Sequence, residues 1–195
     1  MKRLYLKIAL VFFCLSTNVL AQDPAAGLFL TANDFIKGRL SYVSKSDGEA
    51  SKIYLNEFLN SPSIKVVKGD SIIRLKKEKV FGFKNKDQIC YRFYNKEEYK
   101  IINPTEQILM YTRTFTTGGT KNLHIVTAYY FSSTADSPIY ELTKWNLKAV
   151  LTKDVHFHEL LDVYFHSDIE LASFDTINKI FCLNRVYLIS KQKVD

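Results

Sequence analysis

The hydrophobic period of this chain changes near Ser132, and that change limits its fold more than any other feature. From about Leu28 to Ser132, short β-branched and aromatic runs alternate with turn residues, the pattern of an antiparallel sheet. Ser63-Ile-Lys-Val-Val67 and Ser71-Ile-Ile-Arg-Leu75 flank Lys68-Gly69-Asp70, a tight turn. Lys79 to Lys84 and Ile89 to Tyr94 flank Asn85-Lys-Asp-Gln88 as a hairpin, and Tyr99 to Ile102 runs into the turn starter Asn103-Pro104. Ser51 to Phe58 puts Ile53, Leu55 and Glu57 on one face of a strand, with Tyr54 and Phe58 on the other. Gln107 to Phe115 and Asn122 to Phe131 are the longest strands, joined around Gly118-Gly119. Near the start, Thr31 to Gly38 reads as one helical turn closed by glycine.

After Ser132 the spacing becomes helical. Ser137-Pro138 or Thr143 opens a helix carrying Leu142, Trp145, Ala149 and Val150 on one side. Asp154 caps a second, with Phe157, Leu160, Leu161 and Tyr164 as its stripe. Ser167-Asp-Ile-Glu170 has the form of a capping box opening a third, with Ile169, Ala172, Ile177, Ile180 and Leu183 inward. The expectation is an α+β fold, a curved antiparallel β-sheet of about 7–9 strands packed with about three C-terminal α-helices. Residues ~28–132 form the sheet and ~138–190 the helices. No Pro/Ser/Gly-rich linker divides these parts, so residues 22–195 are read as a single domain.

The first 21 residues bear on compartment. Met1-Lys2-Arg3 and Lys7 precede the apolar stretch Ile8–Leu15, and Val19-Leu20-Ala21 offers a cut before Gln22, which together read as a secretory signal peptide. No later apolar run approaches the roughly 20 residues that span a bilayer. The expected location is therefore exported: periplasmic, outer-surface or secreted. Val11-Phe-Phe13 is too bulky a context for a lipid anchor at Cys14. Cys90 and Cys182 permit one bridge in an oxidising compartment, yet both sit in apolar runs where free cysteine behaves as a small core hydrophobe. The chain has 27 Lys and Arg against 20 Asp and Glu. With Lys2, Arg3 and Lys7 in the leader, the remainder is only mildly basic, and nucleic acid is not an expected partner.

His158, Asp162 and His166 follow one another at helical i, i+4 spacing, with His156 beside them, so either adjacent pair has the spacing of two metal ligands. The full trio spans about 12 Å of helix and cannot grip one ion. A third ligand would have to come from His124, and the same residues lie opposite Leu160, Leu161 and Tyr164 as a solvated face would. There is no G-x-S-x-G elbow and no cysteine beside a histidine. Glu97-Glu98, Asp168 and Glu170 read as turn and cap acids, while Asp34, Asp136 and Asp175 are isolated. Gly118-Gly119 precedes a strand and is not a phosphate loop. No cofactor is implied.

What remains is a basic, aromatic-rich segment from Lys65 to Lys100. Lys76, Lys77, Lys79, Lys84, Lys86 and Arg92 are the candidate anion-binding residues, interleaved with rings such as Phe81, Phe83, Tyr91 and Phe93. Solvated strand edges account for the same lysines.

Gly27-Leu-Phe-Leu-Thr-Ala-Asn-Asp-Phe35, Gly38-Arg-Leu-Ser-Tyr42, Gly69-Asp-Ser-Ile-Ile-Arg-Leu75, Ser137-Pro-Ile-Tyr-Glu-Leu-Thr143 and Phe157-His-Glu-Leu-Leu161 carry a resemblance to a family of small, uncharacterised exported proteins of Bacteroidota. That resemblance implies an envelope location and brings no catalytic residue. The leading expectation is a non-enzymatic cell-envelope binding or interaction domain, taking an anionic component (a glycan or lipopolysaccharide) or an envelope protein. A metal-dependent hydrolase built on the His156–His166 helix, or a carrier of apolar ligands, stand as alternatives.

Overall fold

The computed structural model describes residues 25–44, 51–55, 61–118 and 123–192. The segment read as a signal peptide, with Ala21 and Gln22, lies outside them, as do Glu57 and Phe58. In chain order the strands and helices are β1 (Ala26–Phe29), α1 (Ala32–Ile36), β2 (Ser41–Ser44), β3 (Lys52–Tyr54), β4 (Ser63–Lys68) and β5 (Ser71–Lys76). Then follow β6 (Gly82–Lys84), β7 (Cys90–Tyr94), β8 (Glu97–Ile101), β9 (Leu109–Thr117), β10 (His124–Ser132) and β11 (Tyr140–Glu141). The C-terminal part holds α2 (Lys144–Val150), α3 (Val155–Tyr164), β12 (Phe174–Asp175), β13 (Ile180–Phe181) and α4 (Cys182–Ser190).

The fold is α+β, as expected. Eight strands form one antiparallel sheet in the order β11-β10-β9-β8-β7-β6-β1-β2, while β3-β4-β5 form a separate three-stranded sheet. Alternation along the strands gives the large sheet two buried faces. On one face, Leu28, Phe83 and Phe93 meet Ile64 and Val66 of the small sheet. Further across that face, Met110 and Phe131 meet Leu147, Phe157, Leu161 and Leu183 of the helices. On the other face, Phe29, Tyr99, Ile101 and Tyr111 are covered by Phe35 of α1 and by Ala135 and Ile139. At Gly82 the strands approach so closely that a Cβ would lie 1.9 Å from the Tyr91 carbonyl oxygen.

Local signals read from sequence explain much of this. Thr31 accepts from the Asp34 N–H at 3.1 Å while Asp34 accepts from the Thr31 N–H at 3.1 Å, a reciprocal cap that starts α1. Gly38 at φ +63° ends that turn, and Gly69 at φ +54° forms the β4–β5 turn. Asn95 and Lys96 both take positive φ, +49° and +67°, giving the two-residue turn whose twist suits the β7–β8 hairpin.

Three helical expectations change. Thr143 starts α2, its hydroxyl accepting from the Asn146 N–H at 3.1 Å, so the buried side carries Leu147 and leaves Trp145 77% exposed. Two residues of helix turn a side chain through about 200°, which places Trp145 opposite Leu147. Tyr164 is also exposed, and Phe165 takes the buried place at the end of α3. The third helix does not begin at Ser167. Residues Asp168–Ala172 form a 3-10 turn, β12 and β13 a small hairpin, and α4 starts only at Cys182. Asp168 is drawn away to accept from the Lys144 N–H at 2.8 Å. Asp175 accepts from the Ile177 and Asn178 N–H groups, both at 3.0 Å, and these local bonds compete with a helix. Among the described residues no helix is long and apolar enough to cross a membrane.

Candidate functional site

The basic residues singled out from sequence do not form one face. Arg92 alternates away from Tyr91 and Phe93 and lies 5% exposed beneath the segment 133–139. It donates to the Tyr111 hydroxyl at 3.0 Å, to the Ser132 hydroxyl at 3.4 Å and to the Ser137 carbonyl at 2.8 Å. Its guanidinium also sits 5.3 Å from the centre of the Phe81 ring and 5.4 Å from that of Tyr94. This arginine ties three strands to the 133–139 segment. Lys77 is equally buried, donating to Glu98 at 2.8 Å over the Phe93 ring. Lys76, Lys79 and Lys86 are exposed and Lys84 is half-buried. Lys84 and Lys86 line a separate hollow of about 360 Å³ beside β1.

The histidine helix is likewise occupied. The His158 Nε2 lies 2.9 Å from the Leu151 carbonyl. Asp162 holds Lys148 at 2.6 Å and Lys144 at 3.6 Å, and the Lys148 hydrogen bond first, then the charges of Lys148 and Lys144, keep its carboxyl below the usual range. His166 is exposed, and its backbone N–H donates to Glu170 at 2.8 Å. Among the described residues no group of three His, Cys, Asp or Glu side chains is arranged to hold a metal ion. Cys90 and Cys182 are both free thiols, packed at the edges of different clusters, and burial pushes the Cys90 thiol up.

A different set of residues gathers where β8 and β9 part. The two strands pair only at Lys100–Thr112 and Ile101–Tyr111, although β8 begins at Glu97 and β9 continues to Thr117. The opening is a polar cleft of about 490 Å³ lying between the two packed ends of the sheet. Lys96, Lys100, Arg113, Thr112 and Thr114 line it, together with the Lys77–Glu98 pair. Arg113 and Glu97, which alternation turns toward the face of Tyr99 and Tyr111, pair at 2.6 Å. The two acids are therefore each neutralised by a cation, and Lys96 and Lys100 keep exposed charges with no ion-pair partner among the described residues. Two like charges near 4 Å from an anion each contribute about 1 kcal/mol in water, rising to about 4 where solvent is partly excluded.

Each part of the cleft has a local cause. The Asn95-Lys96 turn projects Lys96 from the end of the hairpin. Alternation carries Tyr91, Lys100 and Thr112 across three strands in one row, which the registers align. Thr114 continues that row's face and meets Thr127 through hydroxyls 3.3 Å apart. Sequence alone points to Lys96 and Lys100 only as members of the basic segment, because the early end of β8–β9 pairing is a tertiary feature.

Compared with protein-family models, with curated proteins and with solved structures, the chain matches none.

Proposed function

We propose that this chain is an exported, non-enzymatic binding domain of the cell envelope, and that the β8–β9 cleft takes an anionic group of an envelope glycan. The observation that carries the reading is the pair Lys96 and Lys100, without an ion-pair partner among the described residues and beside the hydroxyls of Thr112 and Thr114. Ammonium groups and hydroxyls together match a phosphate or carboxylate, which accepts both charge and hydrogen bonds. The leader, and the resemblance to exported Bacteroidota proteins, support the envelope as the source of that ligand.

Calorimetric titration of the domain with phosphorylated lipopolysaccharide tests it, dephosphorylated material serving as control. Binding that falls at least about tenfold in the Lys96→Glu/Lys100→Glu variant is the expected result, a loss of roughly 1.4 kcal/mol or more. Equal binding to both preparations, or by the variant, overturns the proposal.

A further inference from the structure

The β9–β10 hairpin extends well past its neighbours. On its outer side, β11 pairs only with Tyr130 and Phe131, and the Leu142 N–H adds one bond to the Tyr129 carbonyl at 3.0 Å. Residues His124 to Ala128 have no strand beyond them among the described residues, though every one is paired with β9 on the inner side. In an antiparallel strand the N–H and C=O of one residue point to the same side, alternating along the chain. Since the Tyr129 carbonyl points outward, so do both groups of Thr127 and Ile125. Exposed edges are normally blunted by charge, proline or a bulge. Here the edge reads His124-Ile-Val-Thr-Ala128, without Lys, Arg, Asp, Glu or Pro, and Ile125 is 77% exposed.

We infer that this edge pairs with the same edge of a second copy, antiparallel about a two-fold axis at Val126. The stretch is its own complement. In that register Ile125 exchanges both backbone bonds with Thr127 of the second copy, and Thr127 does the same with Ile125 of the second copy. All four outward groups of Ile125 and Thr127 are thereby satisfied, and the ladder stops at His124, because Leu123 of the second copy falls opposite Tyr129, whose carbonyl already holds Leu142. Val126 meets Val126 of the second copy, and His124 meets Ala128, so no like charges face one another at the seam. A two-fold perpendicular to the sheet keeps equivalent faces on one side, so both clefts open in the same direction. One short strand pair makes a weak dimer that dissociates on dilution.

Sedimentation of the domain across the micromolar range should show a reversible monomer–dimer equilibrium. Raising salt should strengthen it, because the domain without Lys2, Arg3 and Lys7 has 24 basic against 20 acidic residues and its net +4 repels a copy at long range. Salt weakens anion binding, so the two proposals fail separately. Ile125→Lys should abolish the dimer while leaving the melting temperature of the monomer unchanged. Val126→Cys should cross-link on mild oxidation where the parent chain does not, because facing residues at a non-hydrogen-bonded position have Cα atoms about 4.5 Å apart, inside the range of a disulfide. A monomer at all concentrations, a dimer indifferent to Ile125→Lys, or failure of Val126→Cys to link would each overturn the inference.

Discussion

Lys77 and Arg92 lie under packed structure, whereas Lys96 and Lys100, a few residues further along the chain, stand in an open cleft. All four belong to the same basic stretch, and nothing in their identity separates them. What separates them is cover. Glu98 and the Phe93 ring hold Lys77 and the 133–139 segment closes over Arg92, while Lys96 and Lys100 stand exposed in the β8–β9 cleft. A buried cation supplied with acceptors holds structure together, and an exposed cation without a partner is available to a ligand.

The comparison predicts a graded series. Arg92→Met should have the largest effect, a loss of about 3 kcal/mol, because it removes charged hydrogen bonds to three acceptors and leaves the buried Tyr111 and Ser132 hydroxyls to each other. Thermal melts would read this as a drop of roughly 10 °C. An Arg92→Met protein that melts like the parent would place Arg92 with the ligand-binding cations instead. Lys77→Met should lose less, about 1–2 kcal/mol, since Glu98 is partly exposed. Adding Glu98→Gln should restore part of that loss, and a double-mutant cycle in urea checks the coupling.

Acid sensitivity gives a smaller test. Asp175 has its carboxyl held down first by the Asn178 N–H and side chain, then by Ile177 and Arg185. A lowered folded value means that its stabilisation is present above the ordinary value of 3.8 and is lost as pH falls through the lower folded value. The melting difference between the parent and Asp175→Asn should therefore be full at neutral pH and shrink below about pH 4. A difference that stays constant to low pH would contradict the assigned bonds. The smallest effect belongs to Lys96→Gly, which relieves positive φ and should raise stability by less than about 1 kcal/mol. Because it also removes a cleft cation, it should stabilise the fold while weakening the ligand, a split that no structural cation would show.

Much of the fold is legible in the residues. Thr31, Asp34 and Gly38 specify α1 through local bonds, and the turns at Gly69 and Gln88 follow from short-range chemistry, whereas Glu97-Glu98, read as a turn, open β8 and the turn falls at Asn95-Lys96. Alternation also places Arg92 on the face of Cys90 and Tyr94. Whether that face is covered depends on residues some forty positions away, and no local period reports it. The third helix shows the same limit from the other side. Ile169, Ala172, Ile177 and Ile180 have helical spacing, yet Asp175 and Asn178 bind the backbone nearby, and Ile177 ends 89% exposed. The cleft was hidden for a third reason, since it exists where two strands cease to pair.

Chemical-shift mapping of the domain with a phosphorylated lipopolysaccharide core oligosaccharide shows which cations meet the ligand. Binding in the β8–β9 cleft should shift Lys96, Lys100, Thr112 and Thr114 together, and the shifts should fade as salt is raised. Shifts gathered instead around Lys84 and Lys86, with the cleft silent, would contradict it.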